Sequence, residues 1–178
     1  MLGEHNVYNC LAVIASLNEA GVDLNLVKEH FYTFTGMGRR FQLSANFDNI
    51  SVYDDYEHHP TEIKVTIEAA RTREKGKVTI IFQPHRYSRT KFFFDDFVKS
   101  LEKADELILL PVYSAGEENI YGVSSENIAE KIGNGVKVCS EGEVEKIVSN
   151  GQDKEGTFIF MGAGSVSKLA HEIKEKLK

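Results

Sequence analysis

Val78-Thr79-Ile80-Ile81-Phe82, followed by Gln83-Pro84-His85-Arg86-Tyr87-Ser88-Arg89-Thr90, decides the fold. The first five residues form an unbroken apolar and β-branched run, the pattern of a strand buried on both faces. A helical pattern through Phe92, Phe93, Phe97 and Leu101 comes next, and Leu107-Ile108-Leu109-Leu110 is a second such strand. Downstream the rhythm repeats: a loop over Tyr113–Gly122, a helix over Ser124–Ile132, a strand at Val136-Lys137-Val138 and a helix over Glu141–Ser149. Thr157-Phe158-Ile159-Phe160-Met161 is another strand; it runs into Gly162-Ala163-Gly164-Ser165 and a last helix over Val166–Leu177. Strands alternating with helices predict an α/β fold: a mostly parallel, Rossmann-like sheet with helices on both faces.

Upstream, Phe41-Gln42-Leu43-Ser44-Ala45 and Ile50-Ser51-Val52-Tyr53 flank Asn46-Phe47-Asp48-Asn49, which reads as a hairpin turn. Thr61–Glu74 is a helix with Ile63, Ile67 and Ala70 on one face. Nearer the start, a helix from His5 ends before Gly21, and a second spans Asn25–Phe34. Leu24, Val27, Phe31 and Phe34 recur at helical spacing, so that stripe is expected in a core. Gly36-Met37-Gly38-Arg39-Arg40-Phe41 is glycine-punctuated and basic, but no Lys-Ser or Lys-Thr follows the glycines, so it is not a phosphate loop.

At 178 residues the chain is long for one domain and short for two. A net charge of −6 leaves no basic excess to neutralise phosphates, which argues against nonspecific nucleic-acid binding. Cys10 and Cys139 have no metal-ligand spacing, which suits a reduced, cytoplasmic compartment, and no metal site is read from the residues. The apolar runs are too short to span a bilayer, so no membrane partner is expected.

The chemistry collects in loops at strand carboxyl ends, where open α/β sheets place ligands. Asp54-Asp55-Tyr56-Glu57-His58-His59 crowds carboxylates, a phenol and imidazoles ahead of Pro60, which suits a first helical turn. His85, Arg86 and Arg89 lie after the Val78–Phe82 strand, and arginine forks suit carboxylate or phosphate. Gly162-x-Gly164-Ser165 opens a helix whose free N–H groups favour an anion, though it lacks the third glycine of a dinucleotide fingerprint. Asn6 and Asn9 share a helix face, and His30 and His171 read as ordinary helix residues.

Asp54–Ile63 together with Phe82–Thr90 resembles the Mur ligase family of peptidoglycan synthesis, and most closely its alanine-adding members. Gly3-Glu4-His5-Asn6-Val7-Tyr8-Asn9, Arg39-Arg40-Phe41-Gln42 and Gly162-Ala163-Gly164-Ser165 fit in the family's order. The resemblance implies an ATP-dependent carboxylate–amine ligase. ATP phosphorylates the lactyl carboxylate of UDP-N-acetylmuramate, the amine of L-alanine attacks the acyl phosphate, and phosphate leaves. It also implies roles. Asn6 and Asn9 would sit at adenine and ribose, Arg40 by the nucleotide, and Asp55 would accept from the ribose hydroxyls. His58 would face the γ-phosphate as a catalytic group. Tyr56, His85, Arg86 and Arg89 would face the amino acid and the muramoyl end, with Arg89 as carboxylate clamp and Ser165 lining the same crevice.

The same resemblance implies three domains, of which this chain carries the carboxyl-terminal, Rossmann-like one at 38–178 after a helical remnant of the central ATPase domain at 1–37. The family's phosphate loop and its Mg²⁺ ligands fall outside the chain, so the chain alone is expected to be inactive. The stripe Val27, Phe31, Phe34 is then expected to dock on the rest of the chain or to form a dimer. Rival expectations are a family member that adds a peptide to UDP-N-acetylmuramate and a non-catalytic nucleotide- or peptide-binding module.

Overall fold

A computed structural model describes residues 4–34, 38–47, 50–74, 76–133, 135–150 and 156–177. Two compact units emerge, Met1–Gly38 and Arg39–Lys178. The first holds α1 (Glu4–Glu19) and α2 (Leu24–Thr33), the latter opened by Asp23, whose side chain accepts from the Asn25 N–H at 2.9 Å. The expected core on α2 is not there. No residue of α2 is buried: Val27 and Phe31 are half-buried, while Leu24 and Phe34 are exposed. Two helices have too little surface to enclose a stripe, and Leu24, Val27 and Phe31 line a shallow cleft with Ile14 instead.

The second unit is a six-stranded sheet in the order β1-β2-β6-β3-β4-β5. Its strands are β1 (Gln42–Phe47), β2 (Ile50–Asp55), β3 (Lys77–Phe82), β4 (Glu106–Leu109), β5 (Lys137–Val138) and β6 (Gly156–Met161). β1 pairs antiparallel with β2, with a register shift between Leu43 and Ala45; every other pairing is parallel. The expected turn at 48–49 lies outside the described residues.

Alternation along the strands sorts the core into two layers. Val52, Ile81, Ile108, Phe158 and Phe160 pack against α7 (Glu141–Ser149) and α8 (Val166–Lys176) through Val144, Val148, Leu169 and Ile173. Tyr53, Ile80, Phe82, Leu109 and Ile159 turn to the other face, toward α3 (Pro60–Arg73), α5 (Phe94–Leu101) and α6 (Ser125–Ile132). Near-continuous burial from Val78 to Phe82 follows from helices covering both faces.

One expected helix is two. α4 (Tyr87–Phe92) stops at Phe93, whose φ of −107° and ψ of 21° leave the helical region, and α5 restarts at Phe94. The break turns Phe93 onto the His59 ring at 4.8 Å and lets Phe97 pack on Phe82 at 5.5 Å. Phe92 is left 75% exposed.

Candidate active site

β6 is last in sequence yet sits between β2 and β3. The loops after these three strands therefore meet at the sheet's carboxyl edge, the place where a strand-order reversal opens a crevice. Arg39 ties two of the loops together. Its Nη2 donates to the Gly162 carbonyl at 3.1 Å, its guanidinium lies 4.6 Å from the centre of the Tyr56 ring, and its carbonyl accepts from the Tyr56 N–H at 2.8 Å. Arg39 adopts a φ of 58°, a left-handed conformation held by these contacts.

Asp55, expected at ribose hydroxyls, points inward instead. Its side chain belongs to a residue only 1% exposed: Oδ1 accepts from the Glu57 N–H at 3.2 Å, and Oδ2 from the Phe41 N–H at 3.1 Å and the Thr66 hydroxyl at 3.3 Å. It builds the turn that presents Arg40 rather than offering an open oxygen. Arg40 pairs with Glu57 at 3.1 Å and Glu62 at 3.6 Å.

Burial first, and the nearby Glu57 charge second, push the Asp55 pKa up to about 8. The folded protein then binds more protons than the unfolded chain between about pH 4 and pH 8, so stability falls as pH rises through that window. The slope is at most about 1.4 kcal/mol per pH unit for one group. Glu57, raised by burial and by Glu62, acts in the same sense. Asp55→Asn should flatten much of the slope in urea unfolding midpoints measured from pH 5 to pH 8; an unaltered slope would reject a neutral Asp55.

Histidines from two loops approach each other here, with the His58 and His85 rings 6.3 Å apart. His58 Nδ1 lies 3.0 Å from the Tyr56 carbonyl, an acceptor, so Nδ1 is the donor and Nε2 is the other ring nitrogen. His59 instead caps α3, its Nδ1 accepting from the Thr61 N–H at 3.3 Å. The His85 ring stacks on Tyr113 at 5.5 Å. Burial first, then the Arg89 and Arg86 charges, holds its pKa below the usual histidine value, so it is neutral near pH 7. Arginine only donates, so His85 Nδ1 accepts from Arg89 Nη1 at 3.5 Å.

The four arginines of this edge are not equivalent. Arg39 has Asp54 at 3.6 Å, Arg40 has Glu57 and Glu62, and Arg86 has Glu117 at 3.4 Å. Arg89, half-buried, has no carboxylate partner among the described residues.

The glycine turn is packed rather than open. Gln83 Oε1 accepts from the Val166 N–H at 3.1 Å, so the first N–H of α8 is not free for an anion. Ser165 accepts from Gln83 Nε2 at 3.1 Å and donates to Glu141 at 2.6 Å. A Cβ on Gly164 would collide with Gln83 Oε1 and stand 2.7 Å from Tyr113 Cγ.

Tyr56, His58, His85, Arg86 and Ser165 thus lie on loops at one edge of the sheet, with Arg89 on the short helix α4 and Arg40 on the turn beside them. Asn6, half-buried, and Asn9, exposed, belong to α1 in the other unit. Sequence alone does not mark Gln83, Tyr113 or Glu117; a loop glutamate looks like solvated charge until its partners are visible, and Glu117 is half-buried. Among the described residues no group of three or more His, Cys, Asp and Glu could hold a metal ion. No described helix is long and apolar enough to cross a membrane.

Residues 39–164 match the family model described as Mur ligase, glutamate ligase domain. The UDP-N-acetylmuramate–L-alanine ligase of Fusobacterium nucleatum is 41% identical over 99% of this chain, which covers 40% of that relative. The Aquifex aeolicus enzyme of the same name is 44% identical over 96% of the chain, which covers 37% of it. The crystal structure of UDP-N-acetylmuramate-alanine ligase from Thermotoga maritima superposes with a TM-score of 0.77 at 32% identity, over 99% of this chain and 38% of that one. The chain therefore spans about 40% of the length of the curated relatives it matches.

Proposed function

The chain belongs to the Mur ligase family, and from that premise we propose that the whole protein joins L-alanine to UDP-N-acetylmuramate at the expense of ATP, in the cytoplasm, for peptidoglycan synthesis. The reaction proceeds through an acyl phosphate: a lactyl carboxylate oxygen takes the γ-phosphoryl group of ATP and ADP leaves, the alanine amine attacks the acyl carbon and loses a proton, and phosphate leaves with the C–O bond electrons. This chain supplies the amino-acid side.

The observation that carries the reading is Arg89, a half-buried guanidinium without a carboxylate among the described residues, beside paired Arg39, Arg40 and Arg86. A partly desolvated cation favours an anionic partner, and a fork fits a carboxylate in two parallel bonds. Neutral His85 orients that fork without competing in charge. With the alanine carboxylate held there, its amine is directed into the crevice, which turns a bimolecular attack into an oriented one. His58 Nε2 serves the phosphoryl side, Tyr56 and Ser165 line the crevice, and Arg40 serves the nucleotide.

The complete reading frame that encodes this chain should release phosphate from ATP only when both UDP-N-acetylmuramate and L-alanine are present. The 178-residue chain, which contains no Gly-Lys-Ser or Gly-Lys-Thr, should fold but give no stimulated release. Phosphate release by the 178-residue chain that depends on both substrates would overturn that division of labour. Failure of the complete protein to respond to L-alanine would overturn the ligase reading.

A further inference from the structure

We infer that Glu117 is a positioning residue for amino-acid binding: it fastens the start of α4 and occupies Arg86, so that Arg89 alone is presented to the substrate carboxylate. The inference rests on the amino-acid clamp proposed above.

The stretch that carries the clamp is poorly able to hold itself. Arg86 is the residue before α4, and its φ of 71° is left-handed, which disfavours a side chain with a Cβ. Its own side chain makes no capping bond to the helix. A six-residue helix with uncapped N–H groups is marginal without outside support. That support comes from a loop 31 residues downstream, whose Glu117 acts as a cap in trans. One carboxylate oxygen accepts from the Ser88 N–H at 2.9 Å. The other accepts from the Ser88 hydroxyl at 2.7 Å and from Arg86 Nη1 at 3.4 Å. Those bonds hold the Glu117 carboxyl below the usual range, so it is charged at any working pH.

The same loop grips the preceding residues. The Arg86 N–H donates to the Tyr113 carbonyl at 2.8 Å, the Tyr113 N–H donates to the Pro84 carbonyl at 2.8 Å, and His85 and Tyr113 form a parallel bridge. Ala115 and Gly116, with φ of 50° and 84°, bend the chain so that Glu117 returns to Ser88. The Tyr113–Glu117 segment is thus a strap over His85-Arg86, and Glu117 is the end that reaches the helix bearing Arg89. Arg89 lies one turn beyond Arg86 on α4, so loosening Ser88 and Arg86 misaims the Arg89 fork. Freeing Arg86 also places a second cation where one is wanted.

The test is steady-state kinetics of the complete protein with Glu117→Ala, Glu117→Gln and Arg89→Ala, varying L-alanine and ATP separately. Glu117→Ala should raise the KM for L-alanine about tenfold or more, leave the KM for ATP within about twofold, and lower kcat less than KM rises. Glu117→Gln keeps one oxygen for Ser88 but loses the charge that pairs with Arg86, and should recover only part of the loss. A purely structural glutamate would lower the melting temperature without separating the two KM values. If Glu117→Ala does not fold, Glu117→Asp carries the test with the same expectation, because a side chain one methylene shorter cannot span both Ser88 and Arg86. A KM for L-alanine within twofold of the parent, while Arg89→Ala raises it, would overturn the positioning role and leave the clamp standing. No change in either variant would overturn the clamp itself.

Discussion

Arg89→Ala in the complete protein should raise the KM for L-alanine by a factor of roughly 30 to several thousand. Removing one partner of a desolvated charge pair costs about 2–5 kcal/mol, and about 1.4 kcal/mol is a tenfold change. The KM for ATP should change little, because no residue assigned to the nucleotide shares a hydrogen bond with Arg89; its bond is to His85. Arg89→Lys should recover only part of the loss, since an ammonium cannot make two parallel bonds to a planar carboxylate. Arg89 also lies in the last turn of α4, where any cation complements the helix dipole. If that were its whole role, Arg89→Ala would lower stability by under about 1 kcal/mol and leave alanine kinetics unchanged. Varying L-alanine at saturating ATP separates the two.

Gly162→Ala should be strongly destabilising. Gly162 has a φ of 147°, outside the range an L side chain readily adopts. A Cβ there would stand 2.8 Å from the Gln83 carbonyl oxygen and 3.0 Å from Val166 Cγ1. The Gln83 carbonyl belongs to the backbone and cannot rotate away, and the Gly162 N–H and carbonyl are already bonded to Asp55 and Arg39. Overpacking costs about 1–3 kcal/mol, and a sparsely populated backbone conformation about 1–3 kcal/mol more. The sum, about 2–6 kcal/mol, is a large share of a typical domain stability of about 5–15 kcal/mol. Gly156→Ala is the internal control: Gly156 has no positive φ, and its Cβ would meet only the Lys77 carbonyl at 3.7 Å. It should stay within about 1 kcal/mol of the parent. Urea midpoints for the two variants should therefore part widely; coincident midpoints would mean that the β6 end does not lie against Gln83 as described.

Most of the fold was legible because its signal is local. The run Val78–Phe82 can only be a doubly covered strand, and the alternation that follows leaves one fold class. What local signal could not give is competition between partners. The stripe on α2 has the spacing of a core helix, yet spacing does not say whether enough surface is present to bury it. The pattern through Phe92 and Phe97 runs on helically, but the chain breaks at Phe93, whose ring packs on His59, and the helix is two.

At the strand carboxyl ends, residue types mark loops that the fold brings together and are silent on which partner each side chain takes. Asp55 and Arg89 look equally available in sequence. Only the fold shows Asp55 buried under the Phe41 and Glu57 N–H groups, and Arg86 taken by a glutamate far along the chain. Glu117 follows Ala115 and Gly116 in an exposed loop, and nothing nearby in sequence announces that Ser88 is its partner.

The most direct measurement is the amine specificity of the complete protein. At saturating ATP and UDP-N-acetylmuramate, kcat/KM should be compared for free L-alanine and for a tripeptide that begins with L-alanine. The proposed clamp, an Arg89 guanidinium with no carboxylate partner among the described residues, predicts turnover with L-alanine and at most about one hundredth of that kcat/KM with the tripeptide, whose carboxylates lie beyond reach of Arg89 when its amine is at the reacting carbonyl. Equal or better turnover with the tripeptide would contradict the account and make the protein a peptide-adding ligase.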